Sequence, residues 1–121
     1  MDEKAEKLAD LGYATMALDM YGKGVRGATP EECEALMTPL MDDRPMLQSR
    51  IKAGLDTLRA QAEVDPDNIA VMGYCFGGLC ALDLARTGAN IKGVVSFHGL
   101  LTPPDNMAGN SIKANVLVLH G

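Results

Sequence analysis

The stretch that decides the fold is IAVMGYCFGGLCALDLAR, residues 69–86. Its first part, residues 69–72, is a short apolar run that follows turn-forming residues, and this predicts a buried strand. Good helix formers with apolar residues at helical spacing predict a helix from about residue 79 to residue 86. Between the two lies GYCFGG, residues 73–78, which is too short for anything but a sharp turn from strand to helix.

A strand-to-helix turn of the form G-x-C-x-G is the context of a nucleophile elbow. Gly73 and Gly77 flank Cys75 at the positions where a side chain is expected to collide in so tight a bend, and Gly78 follows. The start of the helix points its free N–H groups at the Cys75 sulfur, which favours a thiolate. The Phe76 N–H is then half of an oxyanion hole. The alternative is that Cys75 is only a small buried residue in a Gly-rich turn.

Working outward, the rest of the chain alternates between helical and strand patterns. Further helices are predicted over 2–11, from 30 to about 37 or 41, and over 42–62. Further strands are predicted over 13–20, 94–97 and 116–119. Alternation of this kind is typical of a mostly parallel sheet, here of about four strands, flanked by helices. The 121 residues fit a single α/β domain.

Charge and composition exclude several classes of protein. Sixteen acidic against eleven basic residues give a net charge of -5, without any basic cluster, so nucleic acid is not an expected partner. The chain lacks a run of ~20 apolar residues and an apolar stretch near its start, so neither a membrane span nor a signal peptide is expected. Three cysteines without a disulfide framework suit a reducing compartment, and the expected location is the cytoplasm.

The segment MGYCFGG, residues 72–78, resembles the dienelactone hydrolase (carboxymethylenebutenolidase) family of α/β-hydrolases. The resemblance extends to its neighbours VDPDNIAV and ALDLA. In the same order as in that family, the chain also contains MYG (20–22), VSFHG (95–99) and VLVLHG (116–121). The cysteine elbow is the most specific part, since most relatives of this fold use serine. The resemblance implies a partial α/β-hydrolase fold, shortened at both ends.

The resemblance implies hydrolysis of a small ester or lactone without a cofactor, with Cys75 as the nucleophile. In the family order, the triad Asp follows the strand that ends at His120 and the triad His lies further on, so both fall beyond Gly121. The other oxyanion N–H and an acidic partner of the thiol belong to strands that precede residues 2–11. The expectation is therefore weak or absent turnover by these 121 residues alone.

Four further residues are candidates for the pocket. His98 follows a strand beside the elbow strand, and a catalytic role is the alternative to its role as pocket wall. His120 is similarly placed, with loop support as the alternative to a functional role. Tyr21 and Arg26 follow a strand end, where Arg26 either binds an anion or is a solvated charge. The cysteines and histidines lack the spacing of metal ligands, so a metal site is not expected.

In the family, the strand that corresponds to residues 13–20 is separated from the elbow strand by another strand. Either residues 13–20 close against residues 69–73, or a strand of another chain fills the slot. Uncovered apolar surface favours a homodimer. Two alternatives to a weak hydrolase remain open: a non-catalytic dimeric scaffold or binding module with an idle Cys75, and a fragment of a longer active enzyme.

Overall fold

A three-stranded parallel sheet forms the centre of the chain. The computed structural model describes residues 2–107 and 110–121. Strands β1 (Ala70–Tyr74), β2 (Gly93–Phe97) and β3 (Asn115–Leu119) lie in the order β1-β2-β3, and both pairs are parallel. The carboxyl ends of the strands therefore meet at one edge of the sheet, with Tyr74 opposite Phe97 and Phe97 opposite Leu119.

Four helices accompany the sheet: α1 (Asp2–Asp10), α2 (Pro30–Asp42), α3 (Arg44–Arg59) and α4 (Phe76–Arg86). A short 3-10 helix covers Asp105–Met107. The starts of the middle two helices agree with the sequence signals. Thr29 accepts a hydrogen bond from the Glu32 N–H at the start of α2, and Asp43 accepts one from the Met46 N–H at the start of α3. Pro39 lies inside α2 without ending it.

The core lies between α3, α4 and the sheet. Helix α4 packs on β1 and β2, and α3 packs on α4. On α3, the side chains of Leu47, Ile51 and Leu55 are buried. The buried apolar side chains of the described residues are aliphatic or cysteine, and Met20, Met41 and Met46 are partly buried against them. The α/β class and the parallel, helix-flanked sheet are thus confirmed.

The strand predicted over residues 13–20 is wrong. These residues form no ladder, so the described sheet has three strands and β1 is an edge. Leu18 packs so closely on Gly54 of α3 that a Cβ at Gly54 would lie 2.6 Å from it, and the Met20 carbonyl accepts a hydrogen bond from Arg50. A strand needs a neighbour to pair with, and among the described residues none lies beside this apolar run. The predicted closure of 13–20 against the elbow strand does not occur.

Among the described helices, none combines the length and the apolar character that a bilayer crossing demands.

Candidate active site

Cys75 occupies the turn between β1 and α4. It is the N-cap residue of α4, and its backbone has φ 54° and ψ −122°, a strained conformation for a residue with a side chain. Hydrogen bonds on both sides fix this conformation. The Cys75 N–H donates to the Phe97 carbonyl at 3.0 Å, and the Cys75 carbonyl accepts from Gly78 at 3.0 Å. The residue is exposed, so a reagent can reach the sulfur.

Two of the three glycines around Cys75 have no room for a side chain. A Cβ at Gly73 would lie 2.1 Å from the Gly77 carbonyl oxygen, and one at Gly78 would lie 2.4 Å from Ser96 Oγ. Gly77 differs, because a Cβ there would meet nothing within 4 Å. The sequence argument that Gly77 must lack a side chain is therefore wrong: its carbonyl crowds Gly73, while its own Cα faces open space.

This contrast gives a stability prediction with a matched control. Gly73→Ala is expected to lower the free energy of unfolding by about 3 kcal/mol, because the added methyl meets rigid backbone. Gly77→Ala is expected to leave it unchanged or raise it by up to about 1 kcal/mol, because alanine favours the helix. Urea unfolding followed by circular dichroism measures both. Equal midpoints for the two variants would contradict the packing of the elbow.

The imidazole of His98 lies against the Cys75 thiol. The distance from Sγ is 3.2 Å to Nδ1 and 3.9 Å to Nε2. His98 comes directly after β2 and has φ 40°, and its N–H donates to the Leu119 carbonyl at 2.7 Å. Because Tyr74 and Phe97 are partners in register, the residues that follow them are neighbours at the same sheet edge. The structure thus places next to the thiol a residue for which the sequence favoured only a role as pocket wall.

Cys75 is the N-cap residue of α4, but its side chain accepts no capping hydrogen bond from the first N–H groups of this helix, so the predicted contact of these groups with the sulfur is absent. Phe76 and Gly77 are the first residues of α4, so their N–H groups have no acceptor within the helix. Such groups are the donors that stabilise an oxyanion. The Phe76 ring stacks on Tyr21, with centroids 5.8 Å apart and planes 8° apart. Burial raises the pKa of Tyr21, with Cys80 and Cys33 as lesser causes, so its hydroxyl stays protonated near neutral pH.

The two remaining pocket candidates, His120 and Arg26, have different surroundings. His120 and His98 both line an open cavity of about 580 Å³ at the carboxyl ends of β2 and β3. Arg26 instead forms an exposed ion pair with Asp2 of α1, at 3.5 Å. No described contact joins it to the elbow, which agrees with the reading of a surface charge. His120 remains a pocket candidate.

The other two cysteines have distinct surroundings. Cys33 is exposed, and its Sγ lies 3.6 Å from the Gly27 carbonyl oxygen. Cys80 is buried, and burial raises its pKa to about 12, with Asp83 as a lesser cause. The Cys80 thiol is therefore protonated and shielded at neutral pH. Among the described residues, the His, Cys, Asp and Glu side chains form no group that could hold a metal ion.

Cys75 lies on a tight turn between a parallel strand and the next helix, at the carboxyl edge of the sheet, and a turn of this geometry is typical of α/β-hydrolase-like folds. The family model described as the dienelactone hydrolase family matches residues 1–121. The chain belongs to the dienelactone hydrolase family.

Two solved structures and one curated relative are similar to the chain. A structure named m3DLH shares 45% identity with a TM-score of 0.92, and a dienelactone hydrolase-like promiscuous phosphotriesterase, P91, from metagenomic libraries shares 42% with a TM-score of 0.91. Each alignment covers 99% of this chain and 50% of the other. A probable 2-oxo-3-(5-oxofuran-2-ylidene)propanoate lactonase of Bradyrhizobium sp is 32% identical over 78% of this chain and 38% of its own length. The chain thus spans half or less of the length of these relatives.

Proposed function

We propose that the protein takes part in the hydrolysis of small carboxylic esters or lactones, with Cys75 as the nucleophile. The observation that carries the proposal is an exposed thiol at the elbow with an imidazole nitrogen 3.2 Å away and a helix start beside it. These are the three parts that thiol acylation needs: a nucleophile, a proton acceptor and donors for the oxyanion. The lactonase relative supports a lactone as one class of substrate.

The proposed reaction begins when Cys75 Sγ attacks the carbonyl carbon and the thiol proton passes to His98 Nδ1. The carbonyl oxygen becomes an oxyanion beside the Phe76 N–H. The bond from carbon to the leaving oxygen then breaks, and the alcohol leaves with the proton from His98. Water next attacks the thioester, which releases the carboxylic acid and restores the thiol.

The proposal assigns roles only to the residues that the structure describes. Among the described residues, His98 is the imidazole within reach of the thiol. We therefore propose that these residues perform acylation well and deacylation slowly, because His98 must also activate the water and no described hydrogen bond other than the thiol contact orients its ring. The prediction is a short-lived acyl group that accumulates on Cys75.

Acyl trapping tests this proposal. The chain is mixed with an activated aryl ester, quenched in acid, digested and mapped by mass spectrometry. The acyl group is expected on the peptide that contains Cys75, with fast release of the aryl alcohol followed by a slow phase. Cys33, the exposed thiol outside the site, is the internal control. Equal acylation of Cys33 and Cys75, or of neither, would overturn the proposal.

A dimeric scaffold is the second candidate, and one observation favours it. The four apolar side chains of β3 are 37–51% exposed, and β3 is an edge strand. Unpaired apolar edges are templates for pairing with another strand. A homodimer through this edge, with an idle Cys75, predicts a dimer in sedimentation at micromolar concentration and no acyl group on Cys75. A monomer would exclude it.

A further inference from the structure

A buried ionic cluster lies one loop away from the site and has no part in the reaction described above. At its centre is the carboxylate of Asp83 on α4, which is fully buried. Arg44 holds it with two bonds, Nε to Oδ2 at 2.7 Å and Nη2 to Oδ1 at 2.6 Å. Arg86 donates to Oδ1 at 2.9 Å, and Gln48 donates to Oδ2 at 3.3 Å. Burying so many charges is costly, and apolar residues would stabilise this core at least as well.

The same side chains hold the loop that follows His98. Arg44 Nη2 also donates to the Thr102 carbonyl at 2.9 Å, and Arg86 Nη2 donates to the Leu101 carbonyl at 3.1 Å. Gln48 and Asn106 exchange side-chain hydrogen bonds further along the loop. Residues 100–103 are exposed and form no ladder, so apolar burial does not fix them. The two arginines tie the exposed part of this loop to the helices, while the buried Pro104 and the Gln48–Asn106 bonds hold the part that follows.

His98 lies between this tied loop and the sheet. Its N–H is bonded to the Leu119 carbonyl, its φ is 40°, and Leu101 is only three residues on. A strained residue keeps its conformation only when its surroundings fix it from both sides. We infer that Asp83, through Arg44 and Arg86, is a positioning residue that holds the His98 ring against the Cys75 thiol. The role of Asp83 in positioning the ring is independent of the proposed function, but the importance of that role for catalysis rests on it.

Substitution of Arg86 is the mildest test. Arg86→Gln removes the bond to Leu101 and leaves Asp83 held by Arg44, so the fold is expected to survive. A double variant, Arg44→Met with Asp83→Leu, replaces the central pair by apolar side chains and removes the bond to Thr102. Arg59→Gln is the matched control, because Arg59 also donates to a loop carbonyl, that of Asn90, which lies before β2 and therefore at the opposite end of that strand from His98.

Two measurements are made on each variant. The first is the alkylation rate of Cys75 divided by that of Cys33 in the same molecule, which cancels general effects on exposed thiols. The second is the nitrogen NMR spectrum of the imidazole rings, which is simple because the chain has two histidines. A variant His120→Gln assigns the signals. Both the alkylation ratio and the ring signals depend on the position of the His98 ring. A change in stability that leaves the ring in place is expected to alter neither.

Arg86→Gln and the double variant are expected to lower the alkylation ratio about tenfold and to move the His98 ring signals, while Arg59→Gln changes neither. Unchanged ring signals in Arg86→Gln and in the folded double variant would overturn the inference. If the double variant does not fold, Arg86→Gln decides alone. A wild-type Cys75 that reacts no faster than Cys33 would count against the proposed function, whereas the ring signals would still decide the positioning role.

Discussion

Cys75→Ala is expected to lower the rate of acylation by an activated ester at least about 10³-fold. The reason is that the elbow supplies geometry as well as a sulfur atom: Cys75 has a strained backbone at the start of α4, and its thiol lies 3.2 Å from His98 Nδ1. Alanine keeps Cβ and removes only the nucleophile. The measurement is the fast phase of aryl alcohol release under single-turnover conditions.

Cys33→Ala is the matched control for this prediction. Cys33 is exposed like Cys75, but its sulfur lies near the Gly27 carbonyl and not near an imidazole. The fast phase is expected to stay within about twofold of wild type, because the described partner of this thiol is a carbonyl oxygen, which is not a base, and no described imidazole contacts it. Cys80 needs no variant, because its raised pKa and burial keep it unreactive near neutral pH. A fast phase that survives in Cys75→Ala and disappears in Cys33→Ala would place the chemistry elsewhere.

The elbow was predictable from sequence because its determinants are local. The glycines on either side of Cys75, the apolar run before them and the helix formers after them all lie within residues 69–86. The structure adds which glycine matters: Gly73 and Gly78 are crowded, while Gly77 is not. That distinction depends on where the Gly77 carbonyl and Ser96 Oγ lie, which spacing alone cannot give.

The strand over residues 13–20 failed for the opposite reason. An apolar run shows that a segment can be buried, but a strand also requires a partner at the right distance. Here the run packs instead on α3, where Gly54 accommodates Leu18. The contact with His98 was underrated for a related reason. It depends on the parallel register of β1 and β2, which brings the residues after Tyr74 and Phe97 together.

The ionic cluster escaped prediction because charges on a helix are normally solvated. One signal was available in the sequence. Asp83 lies between Leu82 and Leu84 in a helix whose other residues from 78 to 85 are apolar or glycine, which leaves little room for a solvated face. Which residues would pair with it required the long-range packing of α3 on α4.

His98→Asn is expected to lower the acylation rate about 10²-fold while leaving the fold intact. Asparagine suits this position because, like histidine, it tolerates the positive φ of residue 98. Its amide cannot accept the thiol proton, so the proposed nucleophile loses its proposed base but keeps the elbow and the helix start. Single-turnover release of aryl alcohol measures the change, and urea unfolding verifies that stability is retained.

His120→Asn is the companion variant. His120 lines the same cavity but makes no described contact with Cys75, so its loss is expected to change acylation less than about threefold. An equal loss of acylation rate in the two variants would mean that both histidines act on the substrate from the cavity wall. Retention of the wild-type rate in His98→Asn would show that the 3.2 Å contact is packing and that His98 is not the base for Cys75.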